Sequence, residues 1–289
     1  STKYGIGDDC AVMQYPADKQ ILMTTDLLME GVHFDLTYCP LKHLGYKAAM
    51  VNLSDVYAMN GMPKQMTVSL AISKRFCVED IEEFYAGLRL ACDQHGVDLV
   101  GGDTTSSLTG LAISITVIGE ADKDKVVYRN GAQETDLICV SGDLGAAYMG
   151  LQLLEREKAV FNEQLREAQK KGQTLEPAQP DFSGREYLLE RILKPEARRD
   201  IIERLREAGI RPTAMMDISD GIASDLNHIL KASSTSSVQL GADIHVEQLP
   251  LSSKLRRWSS ANGKDAIELA LTAGEDFELL MTISPEDID

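Results

Sequence analysis

The sequence predicts an α+β protein of two units, and two observations carry the prediction. One is size and composition: 289 residues, 44% of them hydrophobic, suffice to bury more than one core, and a chain of this length most often divides into two domains. The other is the order of patterned segments, in which strand-like alternation and helix-like spacing of apolar residues interleave along the whole chain.

The elements follow in order. CAVMQY (10–15) and QILMTTDLL (20–28), separated by PADK, read as strands around a turn. Leu41, Leu44, Ala48, Val51, Val56 and Met59 recur at helical spacing over 41–60, and Gly61 and Pro63 end that helix. QMTVSLAI (65–72) alternates as a strand does, and VEDIEEFYAGLRLACDQH (78–95) is helical and stops at Gly96. VDLVGGD and LAISITVIGE follow as strands, so the first unit reads β, β, α, β, α, β, β and is assigned to residues 1–130. The second unit, 131–289, opens with the strand DLICVSG and a helix from Leu144. Residues 158–186 are polar and read as a helix extension followed by a surface excursion. Helices near 186–208, the strand PTAMMDI, a helix from about 220 to 232, a strand near 238–244 and a last strand FELLMTI complete it.

Charge and motifs exclude several classes of function. The net charge is -16, and no run of Lys and Arg is long enough to hold a nucleic acid or an anionic membrane. The five cysteines are scattered without a C-x-x-C pair, which fits a reduced, cytoplasmic compartment. No apolar run approaches the roughly 18 residues of a membrane span, so a soluble globular protein is expected. Beginning at Ser1 and stopping at Asp289 in a polar turn, the chain reads as a fragment at both ends. There is no P-loop, no dinucleotide fingerprint, no protein-kinase signature, no zinc spacing and no G-x-S-x-G elbow. An EF-hand starting at Asp217 fails because Ile222 and His228 stand where Gly and Glu are required.

Acidic residues punctuate the chain instead. MMDISDGIASDLNHIL (215–230) places Asp217, Asp220 and Asp225 within nine positions, and helix capping explains only one of them. GIGDDCA puts Asp8 and Asp9 in a glycine turn, TTD sets Asp26 late in a strand, and NLSD sets Asn52 and Asp55 one turn apart on a helix. VGGDTT puts Asp103 after a strand and a glycine pair, and AGEDFELL puts Glu275 and Asp276 in a turn. Each alone is ordinary turn chemistry. Converging, they would repel: two such charges about 4 Å apart cost on the order of 4 kcal/mol at an effective dielectric of 20. A divalent cation with oxygen ligands relieves that repulsion, and Mg²⁺ is bound through a few carboxylates together with substrate phosphates. DISDGIASD then becomes one wall of a metal cage, with Ser219 available to a phosphate or to the helix cap.

GIGDDCA, TTDLLMEGVHF, NLSDVYAMNGMPK, VGGDTT, SGDLGAA, MDISDGIASDLNHI and AGEDFELL, in this order, resemble the thiamine-monophosphate kinase family. That family sits within the ATP-binding superfamily that also contains aminoimidazole-ribonucleotide synthetase. The resemblance spans about residues 5–283 and is weakest over 155–200. It implies a phosphotransferase with a phosphate group as acceptor: ATP gives its γ-phosphoryl group directly to thiamine monophosphate, yielding thiamine diphosphate. Such a transfer needs alignment and charge neutralisation more than covalent catalysis. The resemblance implies that Asp9, Thr24, Thr25, Asp26, Asp55, Asp103, Asp217 and Asp220 hold several Mg²⁺ ions, with Asp26, Asp103, Asp217 and Asp220 central to catalysis. It implies further that Gly102, Asp103, Arg129 and Ser219 touch ATP, and that His33 and Glu275 face the thiamine phosphate.

The same resemblance implies a homodimer in which the N-terminal sheets form an intersubunit barrel flanked by α/β sandwich-like C-terminal domains. The family's helix before GIGDDCA and its tail after the last strand, where an aromatic contact to the thiamine ring is expected, have no counterpart here, and AGEDFE replaces the commoner GGEDYE. Two alternatives compete with this reading. One is a sister enzyme: aminoimidazole-ribonucleotide synthetase would show a GVGTK-like segment in place of GIGDDCA, and selenophosphate synthetase relies on an N-terminal Cys or selenocysteine. The other is a nucleotide-binding module that transfers nothing, against which the full set of carboxylates argues.

Overall fold

A computed structural model describes residues 2–4, 10, 12–172, 174 and 180–287. A short ribbon pairs β1 (Thr2–Tyr4) with β2 (Val12–Met13). The first unit then runs β3 (Lys19–Met29), α1 (Leu41–Ala58), β4 (Met62–Ile72), α2 (Val78–His95), β5 (Asp98–Ser106) and β6 (Ala112–Asp122). Its four-stranded sheet has the order β3-β6-β4-β5, with β4 and β5 parallel across α2 and the other pairs antiparallel.

The alternation in β6 shows why the sheet has two unlike faces. Ile113, Ile115 and Val117 are buried, and their neighbours are only partly covered. Helix α1 lies across the buried face with Leu44, Ala48, Ala49, Met50 and Leu53 fully enclosed. Packing of α1 on α2 is backbone-close, because a Cβ at Gly45 would stand 1.9 Å from the Phe84 carbonyl oxygen and one at Gly87 1.7 Å from that of Lys42.

The second unit comprises β7 (Leu137–Val140), α3 (Ala146–Lys170), α4 (Glu186–Leu193), α5 (Arg199–Ala208), β8 (Ala214–Asp217), α6 (Ile222–Ser233), α7 (Ser253–Ala261), α8 (Ala266–Thr272) and β9 (Leu279–Ile283). An antiparallel sheet of order β7-β9-β8 forms its centre. The largest core is continuous between the units: Ile202 and Leu205 of α5, Met215 of β8, and Leu279 and Met281 of β9 join the residues around α1. Among the described residues no helix is long and apolar enough to cross a membrane.

Three expectations change. Residues 238–244 form no strand: the Val238 carbonyl accepts from the Thr235 N–H and Ser234 Oγ accepts from the Leu240 N–H, so local Ser/Thr bonding takes the groups a ladder would need. Asp103 does not follow its strand but lies within it, because β5 continues past the glycine pair to Ser106. Helices α7 and α8 were not anticipated, although Ser252 and Asp265 cap them by accepting from the N–H groups of Leu255 and Ile267.

Candidate active site

Helix α1 is the spine on which the acidic residues are gathered. Near its C-terminal end Asn52 Oδ1 accepts the backbone N–H of Asp26, in β3, at 3.1 Å. Ser54 donates to Asp217 Oδ2, at the end of β8, at 2.6 Å. Asp55 accepts from the Thr24 hydroxyl at 2.5 Å. A single turn of helix therefore links a strand of the first sheet to a strand of the second. Thr24 and Asp55 line a cleft of ≈ 810 Å³ together with Tyr128, Arg129, Asn130 and Asp217.

The electrostatics of this cleft favour an added cation. Burial holds Asp26 above the usual carboxylate range and the charge of Asp55 adds to it, while His33 opposes. Burial likewise raises Asp55, against the Thr24 hydrogen bond and the positive charge of Arg129. Asp217 is pushed up to about 7, first by burial and then by the charge of Asp55, with Asp225 adding and Ser54 opposing. Each of these acids is thus hindered from ionising by its surroundings.

Beside the cleft a loop is clipped shut by backbone bonds. The N–H groups of Ser219 and Asp220 both donate to Asp225 Oδ2 at 3.1 Å. The Ser219 carbonyl accepts from the Glu275 N–H at 2.9 Å, an approach only glycine permits at 274, where a Cβ would stand 2.0 Å from the same oxygen. Glu275 adopts φ 70°, a strained setting for a residue with a side chain, and accepts from Lys47 Nζ at 2.6 Å. Among the described residues, ligand atoms of Asp220, Asp225 and His228 lie within 4.8 Å of one another.

The structure therefore brings Thr24, Asp26, Asp55, Arg129 and Asp217 together, with Ser219, Asp220 and Glu275 on the adjoining loop. His33 sits in an exposed turn where its Nδ1 accepts from the Met29 N–H at 2.9 Å. Two residues stand apart. The Thr25 hydroxyl donates to the Ile115 carbonyl at 3.0 Å, on the face of β3 opposite Thr24 and Asp26. Asp103 aligns with Ser69 and Ser114 on that same outward face, and its Oδ1 accepts from the Thr104 N–H at 2.8 Å. Gly102 allows β5 to approach β4 closely, since a Cβ there would lie 1.9 Å from the Val68 carbonyl oxygen. Asp9 lies outside the described residues. Ser54 and Lys47 had escaped the sequence reading; the signal for Ser54 was its place inside NLSD, between the two polar residues already noted.

Residues 7–121 match the family model described as AIR synthase related protein, N-terminal domain. The fold and the acidic cleft thereby define a protein of the AIR synthase-related class. The thiamine-monophosphate kinase of Aquifex aeolicus (strain VF5) is 37% identical over 277 residues, covering 96% of this chain and 80% of that protein. That of Bacillus subtilis (strain 168) is 36% identical over 289 residues, covering 99% and 79%. A solved structure described as AaThiL complexed with AMPPCP and TMP superposes with a TM-score of 0.79 at 36% identity, over 98% of this chain and 81% of that one. The chain belongs to the thiamine-monophosphate kinase family.

Proposed function

We infer that the protein transfers the γ-phosphoryl group of ATP to the phosphate of thiamine monophosphate, giving ADP and thiamine diphosphate. Family membership over nearly the whole chain carries this reading. The relative solved with an ATP analogue and TMP supports its choice of substrates.

Several Mg²⁺ ions fit the residues present. Thr24, Asp26, Asp55, Asp217 and Asp220 offer hard oxygen donors, and the raised pKa values of Asp26, Asp55 and Asp217 mark a site short of positive charge. Asp9, which lies outside the described residues, and Thr25 and Asp103, which stand on the outward face of the sheet away from this cleft, are proposed as further ligands. When bound, the metal would neutralise phosphate charge and hold the two substrates in line. Arg129 places its guanidinium at the same cleft, suited to the nucleotide phosphates, and Ser219 with the Gly102–Asp103 stretch completes the proposed ATP contacts. Asn52 and Ser54 fix the acids so that little reorganises during transfer. His33 offers an N–H donor to the acceptor phosphate.

The proposed organisation assigns ATP and metal binding, with dimerisation, to residues 1–130 and the second α+β domain to 131–289. On the outward face of β3, Ile21, Met23, Leu27 and Met29 are 47%, 74%, 58% and 38% exposed. This apolar stripe supports a homodimer closed by a second copy's sheet as an intersubunit barrel. Five free cysteines support a cytoplasmic setting. The deciding experiment is turnover with ATP, Mg²⁺ and thiamine monophosphate, with ADP and thiamine diphosphate both measured. ADP without thiamine diphosphate would transfer the reading to a sister enzyme, and no ADP to a binding module.

A further inference from the structure

Helix α3 of the second unit touches the first unit at the turn that carries His33. Residues 31–33 are exposed, Phe34 is buried in the core, and Asp35 and Tyr38 are half-buried at the root of the turn. Asp35 divides its two oxygens between neighbours. Oδ1 accepts from the N–H and the hydroxyl of Thr37 at 2.8 and 2.6 Å, and Oδ2 accepts from Lys158 Nζ of α3 at 2.6 Å. Glu155, one turn earlier on α3, accepts from the Tyr38 hydroxyl through Oε1 at 2.6 Å and places Oε2 3.4 Å from Lys158 Nζ. The Tyr38 ring packs on the main core and on the cluster of Ala147, Leu154 and Ile192, with its centroid 5.8 Å from the same ammonium.

This circuit closes on Lys158. The lysine stands between two carboxylates, one from each unit, and among the described residues neither of them forms another ion pair. Without it Asp35 and Glu155 would meet as like charges, and the turn would be repelled from α3 instead of held to it. Leu153 and Leu154 are buried, whereas residues 159–167 are all exposed, so the joint uses the last stretch of α3 that the core holds rigid. At its other end the turn borders the acidic cleft, since the charge of His33 is felt at Asp26.

Resting on the phosphotransfer reading above, and on His33 as the donor to the acceptor phosphate, we propose that Lys158 is a positioning residue for the acceptor: by bonding Asp35 it fixes the turn, and through the turn it fixes His33. The turn is then ordered before substrate arrives, and binding of the acceptor does not have to order it. The proposed nucleotide contacts do not lie on this turn, so ATP binding is independent of the joint. A tie that merely held the two units together would act on both substrates alike.

The test is a mutant cycle on the full chain. Turnover gives KM for thiamine monophosphate and for ATP in Lys158→Met, His33→Ala and the double variant. Lys158→Met is expected to raise KM for thiamine monophosphate about fivefold or more and to leave KM for ATP within about twofold, whereas Lys158→Arg keeps both near the wild type. Because Lys158 acts through His33, adding Lys158→Met to His33→Ala is expected to raise KM for thiamine monophosphate by less than about twofold further. An equal rise in both KM values, an unchanged KM for thiamine monophosphate in Lys158→Met, or the full effect of Lys158→Met on top of His33→Ala overturns the proposal. If Lys158→Met does not fold, Tyr38→Phe, which removes one hydroxyl from the same circuit, takes its place in the cycle and must show the same coupling to His33. A His33→Ala enzyme with unchanged KM for thiamine monophosphate removes the role of His33 and this inference with it, and leaves the phosphotransfer reading standing. No thiamine diphosphate from the wild type removes both.

Discussion

Glu278 and Asp217 are buried carboxylates, 2% and 5% exposed, on adjacent segments joined where the Ile218 N–H meets the Glu278 carbonyl, yet their surroundings differ. Glu278 accepts from Arg191 at 2.8 Å and also from Arg198 and Ser141. Nearby, Asp276 accepts from the Gly145 N–H at 2.7 Å with Arg191 3.8 Å away, and Asp143 accepts from Tyr187. Permanent cations have been folded into that cluster. Asp217 and Asp55 each accept from a hydroxyl, and among the described residues neither of them nor Asp26 forms an ion pair. The same residue type therefore does two jobs. Where arginines bond the acids directly, the acids lock a loop in place; in the cleft Arg129 acts on Asp55 only through its field, and room for a further cation is left.

Mutations should separate the two clusters in opposite directions. Arg191→Met leaves Asp276 without its enclosed cation and Glu278 with Arg198 alone, and it should destabilise the fold by about 3–5 kcal/mol, read from chemical denaturation. Retained stability would mean that the second cluster is not held by its arginine. Asp217→Asn removes an oxygen of the cleft without creating a new buried charge. It should lower kcat by about 10²–10³-fold, the scale of losing one preorganised electrostatic contact, while the denaturation midpoint read near pH 4, where the wild-type carboxyl is protonated, holds. Unchanged kcat would take Asp217 out of the catalytic set.

The sequence made much of this visible, and the reasons differ from element to element. Helix α2 matches its periodic segment end to end, because apolar spacing and Gly96, at φ 66°, mark both its face and its stop. Asn52 and Asp55 were placed on one helical turn from their spacing alone, and they are there. What spacing cannot give is which face of a strand turns toward a partner from far along the chain. Thr24, Thr25 and Asp26 are consecutive, yet pleating sends Thr25 to the outward face. Asp103 was hidden for a related reason, since the glycines that read as a strand end are accommodated inside β5. Lys47 was invisible because its partner lies 228 positions away and nothing local distinguishes it from a surface lysine.

Acidity offers a further test of the contrast. Burial holds both Asp217 and Asp276 near 7, well above their ordinary 3.8. Between those two values the unfolded chain has already released protons that the folded chain keeps, so folding takes up protons and stability declines as the pH rises. The contribution is complete below about pH 4 and gone above about pH 7, at no more than about 1.4 kcal/mol per pH unit for each group. With EDTA present, thermal melts from pH 4 to 8 should show this decline, and Asp217→Asn and Asp276→Asn should each flatten it. Mg²⁺ then divides the two. It should raise the melting temperature of the wild type more at pH 8 than at pH 5, because the cleft binds it only when ionised, and it should add little to Asp217→Asn. Asp276→Asn should keep the whole Mg²⁺ response, since its carboxylate already has Arg191 beside it. An Mg²⁺ response lost in Asp276→Asn and kept in Asp217→Asn would reverse the assignment of the two clusters.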